Sequence, residues 1–147
     1  MSSRAPESAP RPAEQEADAL VRRDGGNGAQ LTDPGGMRAA VSNAMVGLKK
    51  EFYGKGPERA RTYFNDNYVF CVMEGGLTRN EHTLIERGHH DMVRTYRLAF
   101  QTAMADTVTT SVEKVTCRRV LTYQSQLLFD PDTAIEMFVL DGPPGQG

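Results

Sequence analysis

Tryptophan is absent from this 147-residue chain, cysteine occurs only twice and histidine three times. The missing tryptophan says nothing about function, but the other scarcities do. Cys71 and Cys117 lie far apart and form no CxxC, so neither a zinc ribbon nor a dithiol redox motif is available. In a reduced compartment both are expected to be free and buried. No apolar run approaches the roughly 20 residues that span a bilayer, and the first residues lack the apolar stretch of a secretory signal. The expectation is a cytoplasmic chain that does not cross a membrane and reaches one, if at all, through a partner. Charge of one sign is lacking too. Seventeen Lys and Arg face 19 Asp and Glu, for a net charge of −2 and a pI near 5.9. Bulk electrostatics therefore make no case for nucleic acid or an anionic membrane surface, and no nucleic-acid partner is expected.

What is present is a clear alternation of patterns. Residues 1–36 are rich in Pro, Ala, Gly and charge, with Leu20, Val21 and Leu31 the larger aliphatics beyond Met1. Such a segment buries too little surface to offset its ordering entropy, and it is expected to be a disordered extension. The tail 142–147, GPPGQG, is read in the same way. Between them one domain is expected over residues 37–141. Val41, Met45, Leu48 and Phe52 make one apolar stripe of a helix, stopped by Gly54 as a C-cap and by Pro57. RARTYFN (59–65) and YVFCVME (68–74) read as strands joined by Asp66-Asn67. Thr78 and Glu81 form a capping box that opens a short helix to about Arg87. A longer helix follows from about His89 to Ala105, with Met92, Tyr96, Ala99 and Ala103 as its apolar side, and then a shorter β-branched helical segment to about Val115. Two last strands, 119–128 and 133–140, are joined by the FDPD turn. The order αββ-ααββ predicts an α+β two-layer sandwich: a four-stranded, mainly antiparallel sheet with helices on one face. The open face and edges of such a sheet need cover, and a homodimer is the expected way to provide it.

Candidate chemistry is sparse. Gly54-Lys55-Gly56 invites comparison with a phosphate loop, but it follows a helix and precedes a strand, the reverse of a Walker loop, and Pro57 removes an amide donor. It is read as a turn, with an anion cradle as the weaker alternative. His82, His89 and His90 match neither HExxH nor a zinc finger, so no metal or other cofactor is expected. Arg87, His90, Arg94 and Arg97 recur at helical spacing and would share one face. They are read as a solvent face laced with ion pairs such as Asp91 with Arg87 or Arg94, or else as an anion- or partner-binding stripe. Arg59, Arg61 and Tyr63 share one strand face, which a second subunit or a ligand could meet. Glu74 ends a strand near the helix opened by Glu81, but Glu81 is better explained as a cap. Cys71 sits inside an apolar strand with no histidine marked as its base, so no catalytic residue is assigned.

The run Tyr53-Gly54-Lys55-Gly56-Pro57, then Arg61-Thr62-Tyr63, Cys71-Val72-Met73-Glu74-Gly75, Leu77-Thr78 and Glu81, resembles the YbcI-like or MpsC family of bacterial domains. The segment Asp130 to Leu140 resembles the closing hairpin of that family, so the resemblance covers about residues 37–141. The family takes its name from an operon for a sodium-translocating, membrane-potential-generating system. The resemblance implies an accessory or regulatory role beside membrane components of cation or bicarbonate uptake, and it brings no catalytic residue with it. The rival readings are a module that senses a small anion or nucleotide through its arginines, and an enzyme built on Glu74, Glu81 and a histidine.

Overall fold

The computed structural model describes residues 33–145. The expectation of a disordered extension therefore falls, for residues 1–32, outside the described residues. The first helix, α1, spans Pro34–Tyr53 and buries Val41 and Met45 completely, with Leu48 and Phe52 packed beside them. It starts three residues earlier than the apolar stripe suggests, because Pro34 occupies a first-turn position that needs no amide donor. It ends at Gly54, whose φ of 78° is left-handed and whose N–H donates to Lys50 O at 2.8 Å. Strands β1 (Arg59–Asn65) and β2 (Tyr68–Glu74) form a hairpin through Asp66-Asn67, with Asp66 at φ 56°. Helices α2 (Arg79–Glu86), α3 (His90–Ala103) and α4 (Ala105–Thr116) follow, then the hairpin of β3 (Val120–Phe129) and β4 (Asp132–Leu140).

The two hairpins abut through β2 and β4, giving one antiparallel sheet of order β1-β2-β4-β3. The α+β two-layer architecture is thus the expected one, and the three helical segments read between the hairpins are present, α3 and α4 breaking at Met104. Alternation along the strands sets the two faces. Val69, Cys71 and Met73 of β2 and Phe138 and Leu140 of β4 point to the helices, where they form the main core with Val41, Met45, Val108 and Val112. Ala60 and Phe64 of β1 flank that core. Phe138 stacks on Tyr123 of β3 with ring centres 5.0 Å apart.

Three local expectations are corrected. Cys117 is exposed, not buried, because it caps α4 in a left-handed conformation at φ 58°. Residues 142–145 are held against the domain: Arg118 Nε donates to Pro143 O at 2.6 Å and Gly145 N to Thr116 O at 3.0 Å. Finally, α3 is turned over. Met92 and Tyr96, expected inside, are 56% and 51% exposed, and Ala99 and Ala103 are exposed as well. Val93, Arg97 and Gln101 are buried in their place. Apolar periodicity misreads this helix because two of its three buried side chains are polar, and each is buried against a partner.

Candidate functional site

The row of side chains at the middle of the helix-covered face is polar on β1, β4 and β3, with Cys71 of β2 between. Strand register places Thr62 beside Cys71, Cys71 beside Glu136 and Glu136 beside Ser125. Each polar member meets a helix. Ser42 of α1 shares a 2.8 Å hydrogen bond with Thr62. Lys49, one turn from the end of α1, donates to Glu136 Oε2 at 2.9 Å, with Glu136 wholly buried and Lys49 5% exposed. Tyr123 donates its hydroxyl proton to Glu136 Oε1 at 2.5 Å, and Ser125 donates to Oε2 at 3.1 Å. The Gln101 carboxamide of α3, oriented with its nitrogen toward the carboxylate, donates to Glu136 Oε2 at 2.9 Å and accepts from Lys49 Nζ at 3.0 Å. The carboxylate thereby meets the requirement for burying a charge, since both of its oxygens accept hydrogen bonds and a cation lies against it. Burial, and then the adjacent Glu136 carboxylate, holds the Tyr123 phenol well above its ordinary pKa, so it stays a proton donor in this bond.

A second buried pair lies next to the first. Glu81 takes two bonds from Arg97, Nε to Oε2 at 2.7 Å and Nη2 to Oε1 at 2.6 Å. This is the forked geometry that suits guanidinium. Glu81 also completes the capping box of α2: Thr78 N donates to Oε1 at 2.8 Å, and Glu81 N donates to Thr78 Oγ1 at 3.3 Å. Burial alone would raise the Glu81 pKa, but the bonds from Arg97 and Thr78 outweigh it and the carboxyl lies below its usual value. Burial likewise works against the Arg97 cation, and the bonds to Glu81 outweigh it. The face of Tyr53 lies 3.7 Å from the Arg97 guanidinium carbon and 5.8 Å from Lys49 Nζ, so one ring contacts both cations. Burial pushes its phenol up to about 12.

These groups converge on the β2–α2 loop. Arg97 Nη2 donates to Gly76 O at 3.0 Å. Lys55 donates to Gly75 O at 3.1 Å and Leu77 O at 3.2 Å, while Leu77 N donates to Asp132 Oδ2 at 3.3 Å. Gly75 has φ 79°, a left-handed conformation that favours glycine, and it packs against the Glu58 side chain. Gly54-Lys55-Gly56 is therefore a helix stop followed by a lysine clamp, the turn expected of it. A small cavity beneath the loop, lined by Lys49, Arg97, Asp132, Met73, Leu77 and Leu127, has a volume of about 20 Å³. That holds an ordered water but not a nucleotide or sugar. Its two cations are already neutralised, Lys49 by Glu136 and Arg97 by Glu81.

The sequence-derived candidates do not meet at this place. Of the basic stripe only Arg97 reaches it. Its burial corrects the reading of a continuous solvent-facing row. Arg94 lies with its guanidinium 4.7 Å from the Phe129 ring centre, beside the His90 ring at 5.6 Å, so both cover the end of β3. Arg94 also approaches Asp91 at 3.7 Å, the expected ion pair on this helix. Arg87 is exposed at the C-cap of α2. Arg59 and Glu74 face each other across β1 and β2 at 3.7 Å, each half exposed. Arg61 and Tyr63 are partly buried on the uncovered face of the sheet. Glu74 and Glu81 do not pair. His82, His89 and His90 are exposed, and among the described residues no group of three or more His, Cys, Asp or Glu is placed to hold a metal ion. Cys71 is buried and its thiol is pushed up to about 12, chiefly by that burial. Sequence reasoning missed Lys49, Gln101, Tyr123, Ser125, Asp132 and Glu136. Glu136 left one signal: it breaks the apolar alternation of AIEMFVL at a position where the strand faces the core.

The arrangement defines a class of protein, a two-layer α+β domain in which one buried ion pair, Lys49–Glu136, ties a helix to the sheet and another, Arg97–Glu81, ties two helices together. A family model described as "Na+-translocating membrane potential-generating system (MpsC)" matches residues 34–142, and the chain belongs to that family. Neither a curated protein nor a solved structure matches the chain. Among the described residues no helix is long and apolar enough to cross a membrane.

Proposed function

We propose that this protein is a non-enzymatic accessory or regulatory partner of a membrane cation or bicarbonate transport system. It works from the cytoplasm and touches the membrane through that partner. The observation that carries the reading is the family match, which runs from the first turn of α1 to just beyond β4. The chemistry of the interior is in keeping with it: Lys49 is engaged with Glu136 and Arg97 with Glu81, and the second pair also holds the backbone of Gly76 and Thr78. Proton transfer through either pair would break a buried bond. The protein acts as a homodimer in this reading, and the faces it leaves free are available to the transporter. The test is affinity capture of the tagged full chain from native membranes. Recovery of a polytopic transport component supports the proposal, and repeated recovery of water-soluble partners alone defeats it.

Sensing of a small anion is the second reading, and it draws on fewer cations than the stripe promised, since Arg97 is committed to Glu81 and Arg94 lies on Phe129. A thermal-shift screen of phosphates, nucleotides and bicarbonate addresses it, because a ligand at 100 times its Kd raises stability by about 2.7 kcal/mol.

A further inference from the structure

The centre of the uncovered face is apolar where the helix-covered face carries Glu136. Register places Tyr68 beside Val139, Phe70 beside Met137 and Val72 beside Ile135, a block of six apolar side chains on the two central strands. None of the six is fully buried by the described residues. The flanks differ from each other. On β1 stand Arg59, Arg61 and Tyr63; on β3 stand Gln124 and Gln126, with Leu128 43% exposed.

We propose that this face is the surface on which two copies of the chain pair, with the sheets stacked in an aligned sandwich and β1 of each copy over β3 of the other. This rests on the homodimer in the reading above and names its surface. Three observations select a second copy as the occupant. The first is charge. A two-fold axis parallel to the strands sets Arg61 of β1 at the level of Gln126 of β3, Tyr63 at Gln124 and Arg59 at Leu128, so the cation meets an amide carbonyl that can accept from it, whereas an axis across the strands sets arginine over arginine. The second is shape. The same axis sets Val72 over Ile135 and Phe70 over Met137 of the second copy, so each apolar side chain meets another in a self-complementary contact. The third is area. Four strands about 4.8 Å apart and seven residues at about 3.4 Å each present a face of roughly 450 Å² in projection, or roughly 900 Å² for two copies. Side chains standing off the sheet raise the accessible area above the projection, towards the roughly 1,200–2,000 Å² of stable interfaces. Residues 1–32, the other available cover, offer few large aliphatics to fill such a face.

Sedimentation velocity on the full chain tests the proposal across a concentration series. The wild type should sediment as a dimer. Val72→Lys should sediment as a monomer with an unchanged far-UV spectrum. Met137→Gln, close in shape and uncharged, should raise the dimer Kd tenfold or more, and it covers the case in which the lysine variant fails to fold. Met92→Lys, on the exposed side of α3, should leave the dimer intact. A wild type that is monomeric throughout the series, with the face covered by residues 1–32 or reserved for another protein, overturns the proposal. So does a dimer that survives Met137→Gln or that Met92→Lys abolishes. None of these readings needs a transporter, so the accessory role and the dimer surface stand or fall separately.

Discussion

At the centre of β4 the helix-covered side chain is a carboxylate, Glu136, while its neighbours on the uncovered face, Ile135 and Met137, are apolar. The usual sorting of polar and apolar groups is reversed across one strand. The two faces answer to different constraints. On the covered face a charge is tolerated because Lys49, Tyr123, Ser125 and Gln101 satisfy it and lock the helices at one position over the sheet. On the other face no described element covers the apolar groups, and the dimer proposed above would do so. A buried ion pair is weak evidence for stability as such, but breaking one partner is costly. The covered face should therefore be the intolerant one in folding and the uncovered face the intolerant one in assembly.

The sharpest way to break the comparison is Glu136→Leu, which strands the Lys49 ammonium in the interior. It should cost about 3–5 kcal/mol in urea unfolding, and Lys49→Met combined with Glu136→Leu should recover most of that loss. A double variant no more stable than the single one would show that the row contributes more than charge balance. Glu81→Gln weakens the bidentate bond from Arg97 and should cost about 2 kcal/mol at neutral pH. Its pH dependence is the finer test. Because the folded Glu81 carboxyl lies below its unfolded value, its stabilisation is present above about pH 4.3 and disappears as pH falls through the folded value. The acid limb of the wild-type stability curve should be shallower in Glu81→Gln, and an unchanged limb would assign that titration elsewhere. Gly54→Ala, at a left-handed position with open space around it, should cost about 1 kcal/mol through backbone conformation alone. The smallest perturbation is a thiol reagent on the native protein: Cys117 should react readily and Cys71 only on unfolding, since it is buried with a pKa near 12.

Much of the covered layer is written locally. The hairpin of β1 and β2, the stop at Gly54 and the Thr78–Glu81 capping box each depend on a few adjacent residues, and each lies where sequence reasoning puts it. The face of α3 depends on something else. Arg97 is inside because Glu81, sixteen residues earlier, is there to receive it, and Gln101 is inside because Glu136 is. Hydrophobic periodicity assigns such residues to solvent, since it scores side chains one at a time while burial of a charge is decided in pairs. Glu81 itself illustrates the difference: its capping role is legible three residues away, and its ion pair is not.

By itself the sequence determined the element types, the two hairpins, the one-sided helical layer and the family, all of which follow from short-range pattern and turn chemistry. Tertiary structure alone decided that β2 and β4 meet, that Lys49 pairs with Glu136 and Arg97 with Glu81 beside one loop, and that no described element covers the apolar outer face of the sheet. The physical reason is distance along the chain: Lys49 and Glu136 are 87 residues apart, and only the pairing of the two hairpins brings ammonium and carboxylate to 2.9 Å.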